Sequence, residues 1–264
     1  MVISILGCGW YGKALAVELI KKGLNVKGST TSADKIDNLR AEGIQPYLID
    51  LSPDNTIINP HFFACDVLWL SLPPKARAGK GLEYIAGLKK LIPLIVDAKI
   101  KQVVLISSTG VYADNNTTLT ELNEPKPDTE SGKILLEAED LLQHEAYFTT
   151  TIIRFGGLIG PGRDPGRFFA GKTDIPNGLA PVNLIHLSDC VGISCAILEK
   201  QAFGNVFNAV APEHPSRAAF YTQSAERSGL AKPLFINEKN SWKTVESVNV
   251  PKLLDYNYKV DLTI

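Results

Sequence analysis

Three glycines in the string Gly7-Cys8-Gly9-Trp10-Tyr11-Gly12 are spaced for phosphate chemistry. Gly7 permits a tight turn, Gly9 lets the backbone approach a phosphate, and Gly12 lets a helix pack closely on a strand. An anion there rests on the N-terminus of the following helix, where unpaired N–H groups and the helix dipole favour negative charge. The expected ligand is the pyrophosphate of a dinucleotide, NADP or alternatively NAD, with Trp10 and Tyr11 counted among the residues that hold it.

Such a turn works only between a strand and a helix. An apolar run at residues 2–6 precedes the glycines, and residues 13–22 carry Leu15, Ala16, Leu19 and Ile20 at helical spacing before Gly23 closes the segment. Further apolar, β-branched runs at 25–29, 46–49, 66–71, 102–107 and 149–155 alternate with helical patterns, one of them at 130–145. Alternation of this kind implies an α/β fold, a Rossmann-type doubly wound parallel sheet covered on both faces. By that count residues 1–155 form the dinucleotide-binding core. Residues 156–264 form a small C-terminal substrate-binding lobe together with returning strands and helices of the same fold. Residues 156–167, rich in glycine, proline and arginine, read as a loop. A strand at 182–186, a helix at 188–200, a strand at 205–209 and a helix at 216–228 follow.

The end of the second strand bears on the choice of cofactor. NAD-binding folds commonly place an acidic residue there, about 20 residues after the glycines, to grip the ribose 2′-hydroxyl. This chain has Gly28-Ser29-Thr30-Thr31-Ser32, with Lys35 close by. Hydroxyls and a cation without a carboxylate favour a 2′-phosphate, so Ser29, Thr30, Thr31 and Lys35 are read as an NADP site. Asp34 bending back to the ribose leaves NAD open.

Composition removes several classes of function. The 264 residues are 45% hydrophobic, enough to bury a substantial core, and 27 basic and 28 acidic residues give a net charge of −1 without a basic run. Nucleic acid is not an expected partner. No apolar stretch reaches membrane-spanning length, and the apolar start reads as a strand, not a leader, so a cytoplasmic protein without a membrane partner is expected. The cysteines (Cys8, Cys65, Cys190, Cys195) and histidines (His61, His144, His186, His214) lack paired ligand spacing, so neither a disulfide framework nor a metal site is indicated.

Four ordered motifs extend the reading: LISSTGVY at 105–112, KILLE at 133–137, IRFGGLIGPGR at 153–163 and IHLSDC at 185–190. With the glycine turn they span nearly the whole chain, which resembles the extended short-chain dehydrogenase/reductases, the NAD-dependent epimerase/dehydratase family. The resemblance implies an oxidoreductase or a nucleotide-sugar epimerase/dehydratase acting on a hydroxyl or carbonyl of a small, sugar-like or phosphorylated substrate. It places Ser71, Leu72 and Pro73 beside the nicotinamide ribose, Lys133 on that ribose, and Ser108 and Thr109 against the substrate. A homodimer through the helices after the fourth and fifth strands is also implied.

One position departs from the family. Its members carry Tyr-x-x-x-Lys, and aligning Lys133 with the lysine puts Thr129 where the acid/base tyrosine belongs; the GxGxxG turn in place of GxxGxxG likewise resembles the atypical branch. An aliphatic hydroxyl ionises far less readily than a phenol. The catalytic set under consideration is therefore Ser108, Thr129 and Lys133, with Tyr112 as an outside candidate for a relocated base. Arg163 and Arg167 are read as binders of a substrate anion, since arginine forks suit phosphate and carboxylate. Lys75, Arg77 and Lys80 form a second basic cluster that reads as solvated loop, and His186 as structural. A non-catalytic dinucleotide-binding or redox-sensing protein is the alternative, and a hydroxyacid dehydrogenase with an all-helical second half is disfavoured by the strands after residue 155.

Overall fold

The computed structural model describes residues 1–74 and 79–263. Lys75 and Arg77 lie outside the described residues. Seven strands form one parallel sheet: β1 (Val2–Leu6), β2 (Asn25–Thr30), β3 (Gln45–Leu48), β4 (Val67–Leu70), β5 (Gln102–Ser108), β7 (Thr149–Phe155) and β10 (Val206–Ala209), in the spatial order β10-β7-β5-β4-β1-β2-β3. The short β6 (Thr117–Leu119) pairs with β11 (Lys243–Val245), and β8 (Gly157–Ile159) pairs with β9 (Leu184–His186).

The near-continuous apolar strands follow from burial on both sheet faces. Ile3, Ile5, Trp69 and Val104 point to one face, under α1 (Trp10–Lys21), α2 (Ile36–Ala41) and α5 (Leu187–Glu199). Leu6, Leu68, Leu70, Val103 and Leu105 point to the other, under α3 (Gly81–Asp97) and α4 (Glu130–Gln143). A smaller cluster of Ile159, Leu184, Phe220 and Tyr221 packs α6 (Arg217–Arg227) against β8 and β9.

The chain winds outward from β1 in both directions, so the order reverses between β1 and β4. Ligands of such sheets bind outside the strand carboxyl ends at this switch point. Three details differ from the sequence reading. No α-helix bridges β3 and β4, where only a turn at Pro60–Phe63 forms, because Pro53, Asn55, Asn59 and Pro60 interrupt the segment. The expected loop at 156–167 contains β8, whose parallel register on β9 sets Gly157 opposite Leu184. Strands β6 and β11, too short for a periodic signal, straddle more than a hundred residues of sequence.

Candidate functional site

The site begins where β1 stops. Gly7 has φ +100°, and a Cβ there would lie 2.7 Å from the Ser71 carbonyl oxygen. Its amide donates to Ser29 Oγ at 2.9 Å, and the Cys8 amide donates to the Ser29 carbonyl at 2.8 Å. A Cβ on Gly12 would sit 2.3 Å from the Gly7 carbonyl oxygen, so helix and turn touch through bare backbone. Gly9, the residue before α1, has no heavy atom within 4 Å of its Cβ position. Helix α1 starts without a side-chain cap and without an acid in its first turn. An open space thus faces N–H groups that no side chain satisfies, the environment an anion needs.

From that point a cleft of about 480 Å³ runs along the ends of β1 to β4, lined by Gly7, Cys8 and Gly9, by Ser29, Thr30, Thr31 and Lys35, by Asp50 to Ser52 and by Ser71 to Pro74. Thr31 and Lys35 are exposed along it. Ser29 is buried, lines the cleft and accepts from the Gly7 amide, so this side chain ties β2 to the glycine turn. Thr30 Oγ1 accepts from the Ser32 amide at 3.1 Å. Asp50, just past β3, lines the same end and accepts from the Ser52 amide at 2.9 Å. Sequence reasoning passed over Asp50, although an acid directly after an apolar strand was a visible signal.

Tyr11 also departs from expectation in its side chain. Its ring packs edge-on against Phe155 in the core, and its hydroxyl shares a 2.6 Å hydrogen bond with Ser194 Oγ and accepts from Trp69 Nε1 at 3.1 Å. Burial pushes the phenol above its ordinary range, and only the Tyr11 backbone belongs to the helix start.

At the ends of β5 and β7 the expected catalytic residues fall into two groups. A Cβ on Gly132 would lie 2.3 Å from the Gly110 carbonyl, so the first turn of α4 presses on the turn that follows Ser108 and Thr109. Ser108 Oγ accepts from the Gly110 amide at 3.1 Å, and Thr109 is buried. Thr129 is the N-cap of α4, its Oγ1 accepting from the Gly132 amide at 3.1 Å. Lys133 is exposed and its Nζ donates to Glu130 at 2.6 Å. Neither lines the 480 Å³ cleft.

Tyr112 stands apart from these, 1% exposed. It accepts from Arg154 Nη1 at 2.6 Å, and its own proton is shared between the Thr120 carbonyl at 3.1 Å and Asn208 Oδ1 at 3.2 Å. Burial raises its pKa, with Arg154 pulling the other way. All the hydrogen bonds of this enclosed phenol go to groups of the protein itself, an environment that disfavours the ionised form a relocated base would need. Behind it, Arg154 makes a forked pair with the wholly buried Glu139, Nη2 to Oε2 at 2.6 Å, and Ser107 Oγ donates to the same carboxylate. The signal for this pair was an arginine inside an apolar strand and an acid on the stripe Leu135, Ala138, Glu139, Leu142 of α4.

Arg163 and Arg167 have separate partners. The Arg163 guanidinium lies 4.3 Å from the centre of the Trp10 ring, whereas Arg167 is exposed beside Asp164 at 3.8 Å. His186 caps α5, its Nδ1 accepting from the Ser188 amide at 3.2 Å. A second cavity of about 340 Å³, lined by Gly160, His186, Gln223 and Arg227 among others, shares no residue with the first. Among the described residues no helix is long and apolar enough to cross a membrane, and no cluster of His, Cys, Asp or Glu is arranged to hold a metal ion.

Fold and site together define a dinucleotide-binding protein of the Rossmann class. Residues 7–179 match the family described as NAD(P)H-binding, and the chain belongs to that family. It is 38% identical to the protein YeeZ of Escherichia coli strain K12 over 245 residues, 91% of this chain and 89% of that protein. Among solved structures, it superposes on the UDP-glucuronic acid 4-epimerase of Bacillus cereus in complex with NAD with a TM-score of 0.79, at 21% identity and over 99% of this chain and 95% of that one. A short-chain dehydrogenase/reductase superfamily protein from Agrobacterium tumefaciens with bound NAD gives 0.78, at 17% identity and over 99% and 94%. These likenesses establish the fold of the epimerase and short-chain dehydrogenase/reductase superfamily.

Proposed function

We propose that this protein is an NADP(H)-using enzyme, an oxidoreductase or an epimerase/dehydratase-like catalyst, acting on a hydroxyl or carbonyl of a small, sugar-like or phosphorylated substrate. The observation that carries the reading is the uncapped start of α1 facing the open space at Gly9, with a cleft leading from it along four strand ends. In this reading Gly7, Gly9, Gly12 and the backbone of Trp10 and Tyr11 hold the pyrophosphate. Thr30, Thr31 and Lys35 face the adenosine ribose, with no acid at the end of β2 to repel a 2′-phosphate. Ser71, Leu72, Pro73 and Lys133 frame the nicotinamide half. Ser108 and Thr109 orient the substrate, and residues 156–264, with Arg167, contribute its binding lobe. A bound nicotinamide supplies or accepts hydride, and the protein's part is to position the reacting carbon and to move a proton.

A second reading, a dinucleotide-binding sensor without turnover, is favoured by one observation. Thr129 caps a helix and Lys133 pairs with Glu130, which supports a protein without a Tyr–Lys couple to shuttle the proton. General acid–base catalysis contributes about 100- to 10,000-fold, a loss that leaves a slow enzyme or none.

Calorimetric titration of NADPH and NADH, with turnover followed on sugar nucleotides and small carbonyls, separates these. Binding with turnover supports the enzyme, and binding without turnover in wild type and Thr129→Tyr supports the sensor. Tighter NADH than NADPH binding overturns the NADP preference. We further propose a cytoplasmic homodimer through α3 and α4, checked by sedimentation.

A further inference from the structure

We propose that Arg163 is a cofactor-binding residue, delivered by the turn after β8 to pair with the dinucleotide pyrophosphate at the start of α1. This rests on the reading above that the start of α1 holds a pyrophosphate.

The turn is built for rigidity. Gly160 and Arg163 exchange both backbone hydrogen bonds, at 3.2 Å and 2.8 Å, around Pro161 and Gly162. Gly162 has φ +77°, and proline followed by a left-handed glycine is the arrangement of a type II turn. That turn grips Trp10 twice. The indole Nε1 donates to the Pro161 carbonyl at 2.7 Å, and the Arg163 guanidinium stacks on the indole face with Cζ 4.3 Å from the ring centre. A guanidinium stacked in this way has given up rotamer freedom before any anion arrives.

Trp10 is the first residue of α1, so the guanidinium stacks on the residue that opens a helix whose first turn has no side-chain cap. Arg163 makes no ion pair among the described residues, whereas Arg167, four residues further on, has Asp164. A cation held on the first residue of a helix adds its charge to the positive end of the helix dipole, and an anion bound there relieves the repulsion between them. A pyrophosphate resting on the α1 amides would offer one oxygen set to the backbone donors and the other to an arginine fork. The loop expected to serve substrate thereby becomes attached to the cofactor helix through Trp10.

The test is titration of wild type, Arg163→Gln and Arg163→Lys with NADPH, NADH, ADP-ribose and adenosine, the last by competition. Arg163→Gln is expected to weaken NADPH, NADH and ADP-ribose by about tenfold, Arg163→Lys by less, and adenosine not at all. Arg163→Gln binding ADP-ribose as tightly as wild type overturns the proposal. So does an equal loss for adenosine and ADP-ribose, which marks a general distortion of the cleft. Wild type binding none of the dinucleotides overturns the parent reading and this one with it, an outcome distinct from a silent Arg163 substitution.

Discussion

The Ser29 hydroxyl accepts a hydrogen bond from the Gly7 amide at 2.9 Å, tying the end of β2 to the glycine turn at the end of β1. Ser29→Ala removes the only side-chain partner of that amide among the described residues. The expected outcome is a loss of about 1–2 kcal/mol in urea unfolding and equal weakening of NADPH and NADH. Thr31→Ala and Lys35→Ala, in contrast, are expected to weaken NADPH alone.

The glycines separate packing from binding. Gly12→Ala drives a Cβ to 2.3 Å from the Gly7 carbonyl, and a cost of about 1–3 kcal/mol or more is expected. Gly9→Ala meets no protein atom within 4 Å, so its stability stays within about 0.5 kcal/mol of wild type. Calorimetry should show its cofactor affinity reduced instead, because the methyl would enter the open space where the proposed pyrophosphate rests.

Thr129 should behave as a cap. Thr129→Ala is expected to cost about 1 kcal/mol and Thr129→Ser much less, with turnover unchanged in both. A hundredfold fall in kcat at an unchanged melting temperature would show instead that the hydroxyl takes part in the chemistry.

Breaking the buried Glu139–Arg154 pair has a larger effect. Glu139→Gln leaves a buried guanidinium uncompensated, at a cost of about 3–5 kcal/mol. Tyr112→Phe strands Arg154 Nη1 and Asn208 Oδ1, costing about 1–3 kcal/mol, and turnover by the folded fraction persists.

Buried thiols set the alkaline limit. Burial pushes Cys8 from 9.0 up to about 12 and Cys195 up to about 11, and raises Cys190 in the same direction. Below pH 9 these thiols are protonated whether the chain is folded or not, and their contribution to stability is fully present. As pH rises from 9 toward 12 the unfolded chain ionises them and the native one does not, so stability falls. Urea unfolding on either side of pH 9 measures the drop. Slow reaction of native Cys8 with a thiol reagent at neutral pH is expected as well, and fast reaction would point to a thiol-based sensor.

The strand, glycine turn and helix at residues 2–21 and the parallel α/β order are legible in the residues alone. These are local quantities, since side-chain period, glycine spacing and apolar runs are set by neighbours a few residues apart. The sequence also implied the superfamily through four ordered motifs. What it left open depends on partners distant in the chain. That Ser29 meets the Gly7 amide, Tyr11 meets Ser194 and Tyr112 pairs with Arg154 depends on residues 22, 183 and 42 positions away. Trp10 and Pro161, 151 positions apart, meet only because the turn after β8 folds back onto α1. A hydroxyl or a guanidinium carries the same chemistry in any sequence, but burial and the nearest donor decide what it does, and those are properties of tertiary structure alone.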